Sequence, residues 1–254
     1  MTFPRENILG IAVNAINMQQ AIGQIESWVI RKESAYICVT PAHAIMECVN
    51  QPELKKIYNE SSMTTPDGMA IVWLLKLADH KQITRVYGPD LLLQTCSAFV
   101  DRDVKHFFYG GAPHVAEKLV QKLRAINPQV KIAGSYSPPF RALSEEEDAT
   151  VIKMFKDSGA DIIWIGLGSP KQEQWMANHY NQCNAVMIGV GAAFDFLSGT
   201  KKQAPYWIQR SGFEWLFRLF SEPKRLWRRY IKYPKFIWLV IMQKLKIQDF
   251  PIED

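Results

Sequence analysis

Apolar residues fall along this chain in two alternating rhythms. Short runs rich in β-branched and aromatic side chains occupy residues 8–12, 36–39, 105–109, 131–133, 161–167 and 185–190, and each predicts a strand. Several are apolar almost throughout, as strands covered on both faces are. Between them, apolar positions return every three or four residues. That spacing predicts helices near 18–31, 42–49, 52–60, 68–78, 89–101, 113–126, 144–157 and 170–180. Ser144, followed by three glutamates, marks one helix start. Pro170 suits another, because its missing amide is not needed there. Strand–helix alternation predicts an α/β fold with a mostly parallel sheet and helices on both faces. Ligands of such sheets sit at the carboxyl ends of the strands, so the strand-to-helix turns are where chemistry is expected.

After about residue 200 the rhythm changes. Segments 204–211, 213–222, 224–230 and 235–246 read as helices separated by Gly212, Pro223 and Pro234, and no strand signal returns. The expected organisation is a core over 1–200 and a helical appendage over 201–254. Charge sharpens this division. The chain carries a net charge of +5, yet residues 1–200 hold 18 basic against 20 acidic residues, while 201–254 hold 12 against 5. The last fifth also carries four of the eight tryptophans. A basic, aromatic segment suits an anionic membrane surface, packed helices with solvated charges, or nucleic acid stacked on its rings. The apolar run at 236–242 is too short to cross a bilayer but long enough to lie in its interface. The four cysteines (Cys38, Cys48, Cys96, Cys183) form no CxxC pair, which argues against a disulfide framework or a structural zinc site and suits a reducing cytoplasm. The first residues do not resemble a signal peptide, and no stretch of about 18 apolar residues occurs.

Several turns hold candidate chemistry. Asp67, in Thr65-Pro66-Asp67-Gly68, stands at a helix entry and reads either as a cap or as a base taking a proton from an attacking hydroxyl. Two glycine turns, around Gly110-Gly111 and Gly166-Leu167-Gly168, either let a phosphate approach backbone amides or simply turn the chain. Arg85 reads as a diphosphate ligand or a solvated charge, and Lys171-Gln172-Glu173 as a binding segment or a solvated first turn. Gly189-Val190-Gly191 begins like GxGxxG, but Phe194 takes the third glycine's place, and no P-loop occurs. That counts against a nicotinamide-dependent oxidoreductase or epimerase.

In order along the chain, the motifs Thr64–Gly68, Arg85–Leu91, Gly110–Pro113, Gly166–Glu173, Gly189–Asp195, Gln203–Pro205 and Glu214–Leu219 resemble the WecG/TagA/CpsF family, glycosyltransferase family 26. The resemblance runs from Ile8 to about Tyr230. It implies a Rossmann-like core with a C-terminal appendage that closes over the active site and touches the membrane. The activity it implies is a metal-independent, inverting transfer, without cofactor, from a UDP-sugar to a polyprenyl-diphosphate-linked sugar, in bacterial cell-surface polysaccharide synthesis. Such an enzyme would be peripheral on the cytoplasmic face of the inner membrane, would bind no nucleic acid, and is compatible with a homo-oligomer. By position, Asp67 matches the family's general base, and Thr40, Arg85 and Gln172 match its pocket. Gly110, Gly111, Gly168 and Lys171 fall in motifs expected to bind substrate, and Asp195 in the motif associated with the donor site. Arg218, Arg225 and Arg228 match appendage arginines that meet lipid diphosphate or departing UDP. One position departs from the pattern. The family usually carries asparagine two residues after the threonine matching Thr40; here Ala42 stands there, followed by His43, so a contact is lost or His43 replaces it. Acting without catalysis, a basic adaptor on membrane or nucleic acid is the alternative, and it predicts no UDP release.

Overall fold

The computed structural model describes residues 3–252. In chain order its elements are β1 (Arg5–Ile8), β2 (Ile11–Asn14), α1 (Met18–Arg31), β3 (Ala35–Thr40), α2 (Ala42–Cys48), α3 (Pro52–Glu60) and β4 (Met63–Pro66). They continue with α4 (Met69–Leu77), α5 (Gly88–Ala98), β5 (His106–Gly110), α6 (Val115–Ile126), β6 (Ile132–Tyr136), α7 (Glu145–Ser158), β7 (Ile162–Gly166) and α8 (Lys171–His179). Last come β8 (Val186–Gly189), α9 (Ala193–Ser198), α10 (Tyr206–Ser211), α11 (Glu214–Ser221), α12 (Pro223–Tyr230) and α13 (Tyr233–Lys244). The main sheet has six strands in the order β4-β3-β8-β7-β5-β6. Two compact units divide the chain: Met1–Asn17, Thr40–Val86 and Gln203–Asp254 make the first, and Met18–Val39 and Tyr87–Lys202 the second.

The second unit is the α/β layer that the apolar rhythm predicts. β3, β8, β7, β5 and β6 run parallel. Successive side chains of β5 point to opposite faces. Phe107 and Tyr109 therefore meet Phe155 of α7, and Tyr109 also meets Trp175 of α8, while Phe108 turns to Phe194 of α9. Both faces are thus covered by helices. Trp164 and His106 lie fully within the layer, the indole Nε1–H donating to His106 Nδ1 at 3.2 Å. That bond needs a neutral imidazole, and burial holds the His106 pKa down at about 4. From β5 the chain leaves toward β6 on one side, and from β7 toward β8 on the other. The carboxyl ends of β5 and β7 therefore form the topological switch point.

The first unit is assembled from three separated stretches. The segment expected as one strand over 8–12 is a hairpin: β1 and β2 pair antiparallel around Leu9-Gly10, both with positive φ. Asn7 Oδ1 accepts the Gly10 amide at 2.8 Å and so closes the turn. The continuous apolar letters concealed the reversal. β4 also lacked a sequence signal, because Thr64 and Thr65 are polar yet fully buried. Thr64 is accommodated by hydrogen bonds: its hydroxyl donates to the Tyr58 carbonyl, and its amide donates to Asn14 Oδ1 at 2.8 Å. Helices α10 to α13 follow the expected boundaries closely, with one difference. Pro223 and Pro234 do not lie between helices but in the first turns of α12 and α13, where proline's missing donor is harmless. Gln243 of α13 ties this segment to the hairpin, accepting the Leu9 amide on Oε1 and donating to the Asn7 carbonyl.

Candidate active site

Two groups of side chains carry the candidate chemistry, one in each unit. In the first unit, Asp67 follows β4 directly. Its amide donates to the Thr40 carbonyl at 3.2 Å, and the neighbouring Pro66 carbonyl accepts the Val86 amide at 2.9 Å. Asp67 does not cap α4. The cap residue is Gly68, at φ 91°, and no side chain accepts from the first-turn amides. The Asp67 carboxylate instead accepts Arg85 Nε–H at 2.9 Å on Oδ1. Arg85 is no solvated charge either. Its Nη1 lies 2.6 Å from Glu214 Oε2 and donates to the Gln209 carbonyl at 3.3 Å. The three side chains of this Asp67–Arg85–Glu214 chain are only 16%, 15% and 10% exposed.

Burial raises the Asp67 pKa most; Arg85 pulls it back, Glu214 pushes it up further, and Arg218 lowers it, for a net rise. An aspartate so poised is a better proton acceptor than an ordinary surface carboxylate once ionised. Arg218 of α11 thus joins the Asp67 environment. Arg225 pairs with Glu222 through Nε and Nη2 at 2.7 and 2.6 Å, and exposed Arg228 lies over the Trp227 ring. Trp215, Tyr230 and Tyr233 pack edge to face beside them, and burial raises the pKa of both tyrosines. His43, next to the Ala42 that departs from the family pattern, is buried in α2. Burial first, then Arg229, Arg218 and Lys232, hold its pKa well below the usual histidine value, so it is neutral. Arg229 of α12 stands in the run of tail arginines at mostly helical spacing, whereas Lys232, the cap residue of α13, has no such signal in the sequence.

In the second unit, the glycine turns stand at the switch point. Gly110 and Gly111 both have positive φ, and the Gly111 amide donates to the Gly166 carbonyl at 3.0 Å. A Cβ on Gly110 would come within 2.6 Å of Gly166 backbone, so close strand packing accounts for that glycine. Gly168, at φ 80°, differs: no atom lies within 4 Å of where its Cβ would be, which leaves its backbone open to a ligand. Behind it, Gln172 is buried and donates Nε2–H to Glu173 Oε1 at 2.9 Å. Among the described residues, Gln172 Oε1 and Ser169 Oγ are buried without a hydrogen-bond partner. Lys171 sits over the Phe140 ring, and Asp195 pairs with Lys201 at 2.9 Å. The structure brings Thr40, Asp67, Arg85 and Arg218 into one unit, and Gly110, Gly111, Gly168, Lys171, Gln172 and Asp195 into the other.

Among the described residues, no three His, Cys, Asp or Glu side chains gather as a metal site, and no helix is long and apolar enough to cross a membrane. All four cysteines are buried, and none is in a disulfide.

Residues 6–249 match the family model described as glycosyl transferase, WecG/TagA/CpsF family. The chain belongs to this family. It is similar to an N-acetylglucosaminyldiphosphoundecaprenol N-acetyl-beta-D-mannosaminyltransferase of Bacillus subtilis strain 168, 27% identical over 96% of this chain and 94% of that protein. Proteins of the same name from Bacillus spizizenii and Staphylococcus aureus strain MW2 are 28% and 27% identical. The alignments cover 83% and 95% of this chain, and 80% and 94% of those proteins. This protein is a glycosyltransferase of the WecG/TagA/CpsF family, and its α/β core is the expected one.

Proposed function

We propose that this glycosyltransferase moves a sugar, with inversion and without a metal ion, from a UDP-sugar to a polyprenyl-diphosphate-linked sugar at a membrane surface. The observation that carries the reading is the Asp67–Arg85–Glu214 chain, in which a mostly buried carboxylate of raised pKa is held in one orientation. In the proposed step the acceptor hydroxyl oxygen attacks the anomeric carbon, and its proton passes to Asp67. The bond from that carbon to the β-phosphate oxygen breaks, and the electron pair departs with UDP. A positioned base contributes about 10²–10⁴-fold to such a reaction. Inversion fits a single base acting on the acceptor, and the relatives' names specify a β-linked product.

The donor nucleotide is assigned to the switch point of the second unit, where open Gly168 and the unpartnered Ser169 Oγ and Gln172 Oε1 suit its phosphate and polar groups. Negative charge on the leaving diphosphate calls for fixed positive partners. Arg218 is the buried-side candidate, with Arg225 and Arg228 as exposed reserves. Exposed Trp227, Ile231 and Trp238 on α12 and α13, beside Arg228 and Lys235, suit contact with an anionic membrane on its cytoplasmic face. The relatives' names make UDP-N-acetylmannosamine and an N-acetylglucosaminyl-diphosphate lipid the first substrates to try.

The test is UDP release from a panel of UDP-sugars with synthetic polyprenyl-diphosphate sugars. Asp67→Asn should fold and bind UDP-sugar while losing about 10²-fold or more in kcat. Near-normal turnover in that variant removes Asp67 from the base role. Absence of UDP release from the unaltered protein with every pair removes the reading as a whole.

A further inference from the structure

Glu214 has no part in the step just described, yet it holds an unusual position. In the first turn of α11 an acidic side chain ordinarily faces water and complements the helix dipole. This one is turned inward and buried, at the Nη1 end of Arg85. Desolvating a carboxylate is costly unless a partner compensates, so a glutamate kept here for helix-starting alone would be an expensive choice. Its partner is the arginine that also holds Asp67.

The geometry assigns Arg85 two masters. Nε meets Asp67, while Nη1 meets Glu214 and the Gln209 carbonyl. A planar guanidinium anchored at one edge presents its other edge in a fixed direction. Shared between two carboxylates, it also gives neither its whole charge. We propose that Glu214 is a positioning residue: its grip on Arg85 fixes the guanidinium edge that meets Asp67 and withholds part of the cation from the base. The inference rests on the proposed function, in which Asp67 takes the acceptor proton. It means that seating α11 sets both the orientation and the strength of a base located far earlier in the chain.

The charged and titratable groups that act on Asp67 are Arg85, then Glu214 and Arg218 of α11, with Tyr233 of α13 also coupled to it. Removing the Glu214 charge leaves Arg85 and Arg218 as the dominant neighbours, so Asp67 ionises at lower pH and accepts protons less readily. Glu214→Gln keeps the size and an acceptor oxygen but loses the charge. In this variant the acid limb of the kcat profile should move to lower pH by about half a unit or more. At neutral pH, kcat should fall about tenfold, with KM for the UDP-sugar unchanged. Glu214→Asp restores the charge one methylene short, and should return the acid limb toward that of the unaltered enzyme. An unchanged limb in Glu214→Gln, with the unaltered enzyme active and Asp67→Asn inactive, overturns this inference alone. Failure of Glu214→Gln to fold overturns it as well, because the glutamate then serves the fold rather than the base. Lack of transfer by the unaltered enzyme defeats the functional reading, and this inference falls with it.

Discussion

The two units place their polar groups by opposite means. In the second unit the backbone does the positioning: parallel strands, a switch point, and glycines that allow close approach. Among its buried titratable groups, His106 is kept neutral. In the first unit charges do the positioning, with Asp67, Arg85 and Glu214 holding one another in a poorly solvated setting. The difference teaches that one kind of site is fixed chiefly by chain geometry. The other is fixed by mutual attraction and responds to every neighbouring charge.

The largest expected effect breaks the geometric side. Gly110→Ala would drive a Cβ into Gly166 backbone at a φ of 123°, and should cost about 3 kcal/mol or more of stability, read from urea unfolding. Gly168→Ala is its control, since it shares the left-handed backbone but meets open space. It should cost only about 1–2 kcal/mol, and its measurable loss should be in UDP-sugar affinity. Equal destabilisation by the two would refute the packing account of Gly110.

Between these in size lies a pH effect. The folded-state pKa of His106 is about 4, below the ordinary histidine value. The unfolded chain therefore binds the extra proton first as pH falls. This contribution is complete above about pH 6.5 and is lost as pH drops toward 4, by up to about 3 kcal/mol. Urea midpoints at pH 7 and 5 should converge in His106→Gln relative to the unaltered protein. A parallel decline in both would assign the pH dependence elsewhere.

Sequence periodicity revealed the second unit well, because strands such as 162–166 and 186–189 are buried on both faces and need apolar residues throughout. It failed where burial is polar or where the chain reverses inside an apolar run. Leu9 adopts φ 52° with nothing in its chemistry to announce it, and β4 contains buried threonines that only tertiary hydrogen bonds explain. The short helix α9 was hidden inside a motif scanned for glycines. At the site, the capping reading of Asp67 falls because Gly68 takes the cap position, which the letters Asp67-Gly68 alone do not decide. Gly110 reads from sequence as ligand access or a tight turn, and its close approach to Gly166 backbone by itself requires glycine there. Glu214 lay in a quoted motif without a task, since no local pattern tells that a first-turn glutamate points inward.

The interleaving of the units has a consequence for synthesis. Asp67 and Arg85 leave the ribosome early, whereas Glu214 and Arg218 emerge only after every strand of the parallel layer. A nascent chain can therefore bury the apolar strands of that layer while Asp67 has only Arg85 of its three charged neighbours. The charged surroundings of Asp67 are then among the last features the polypeptide completes.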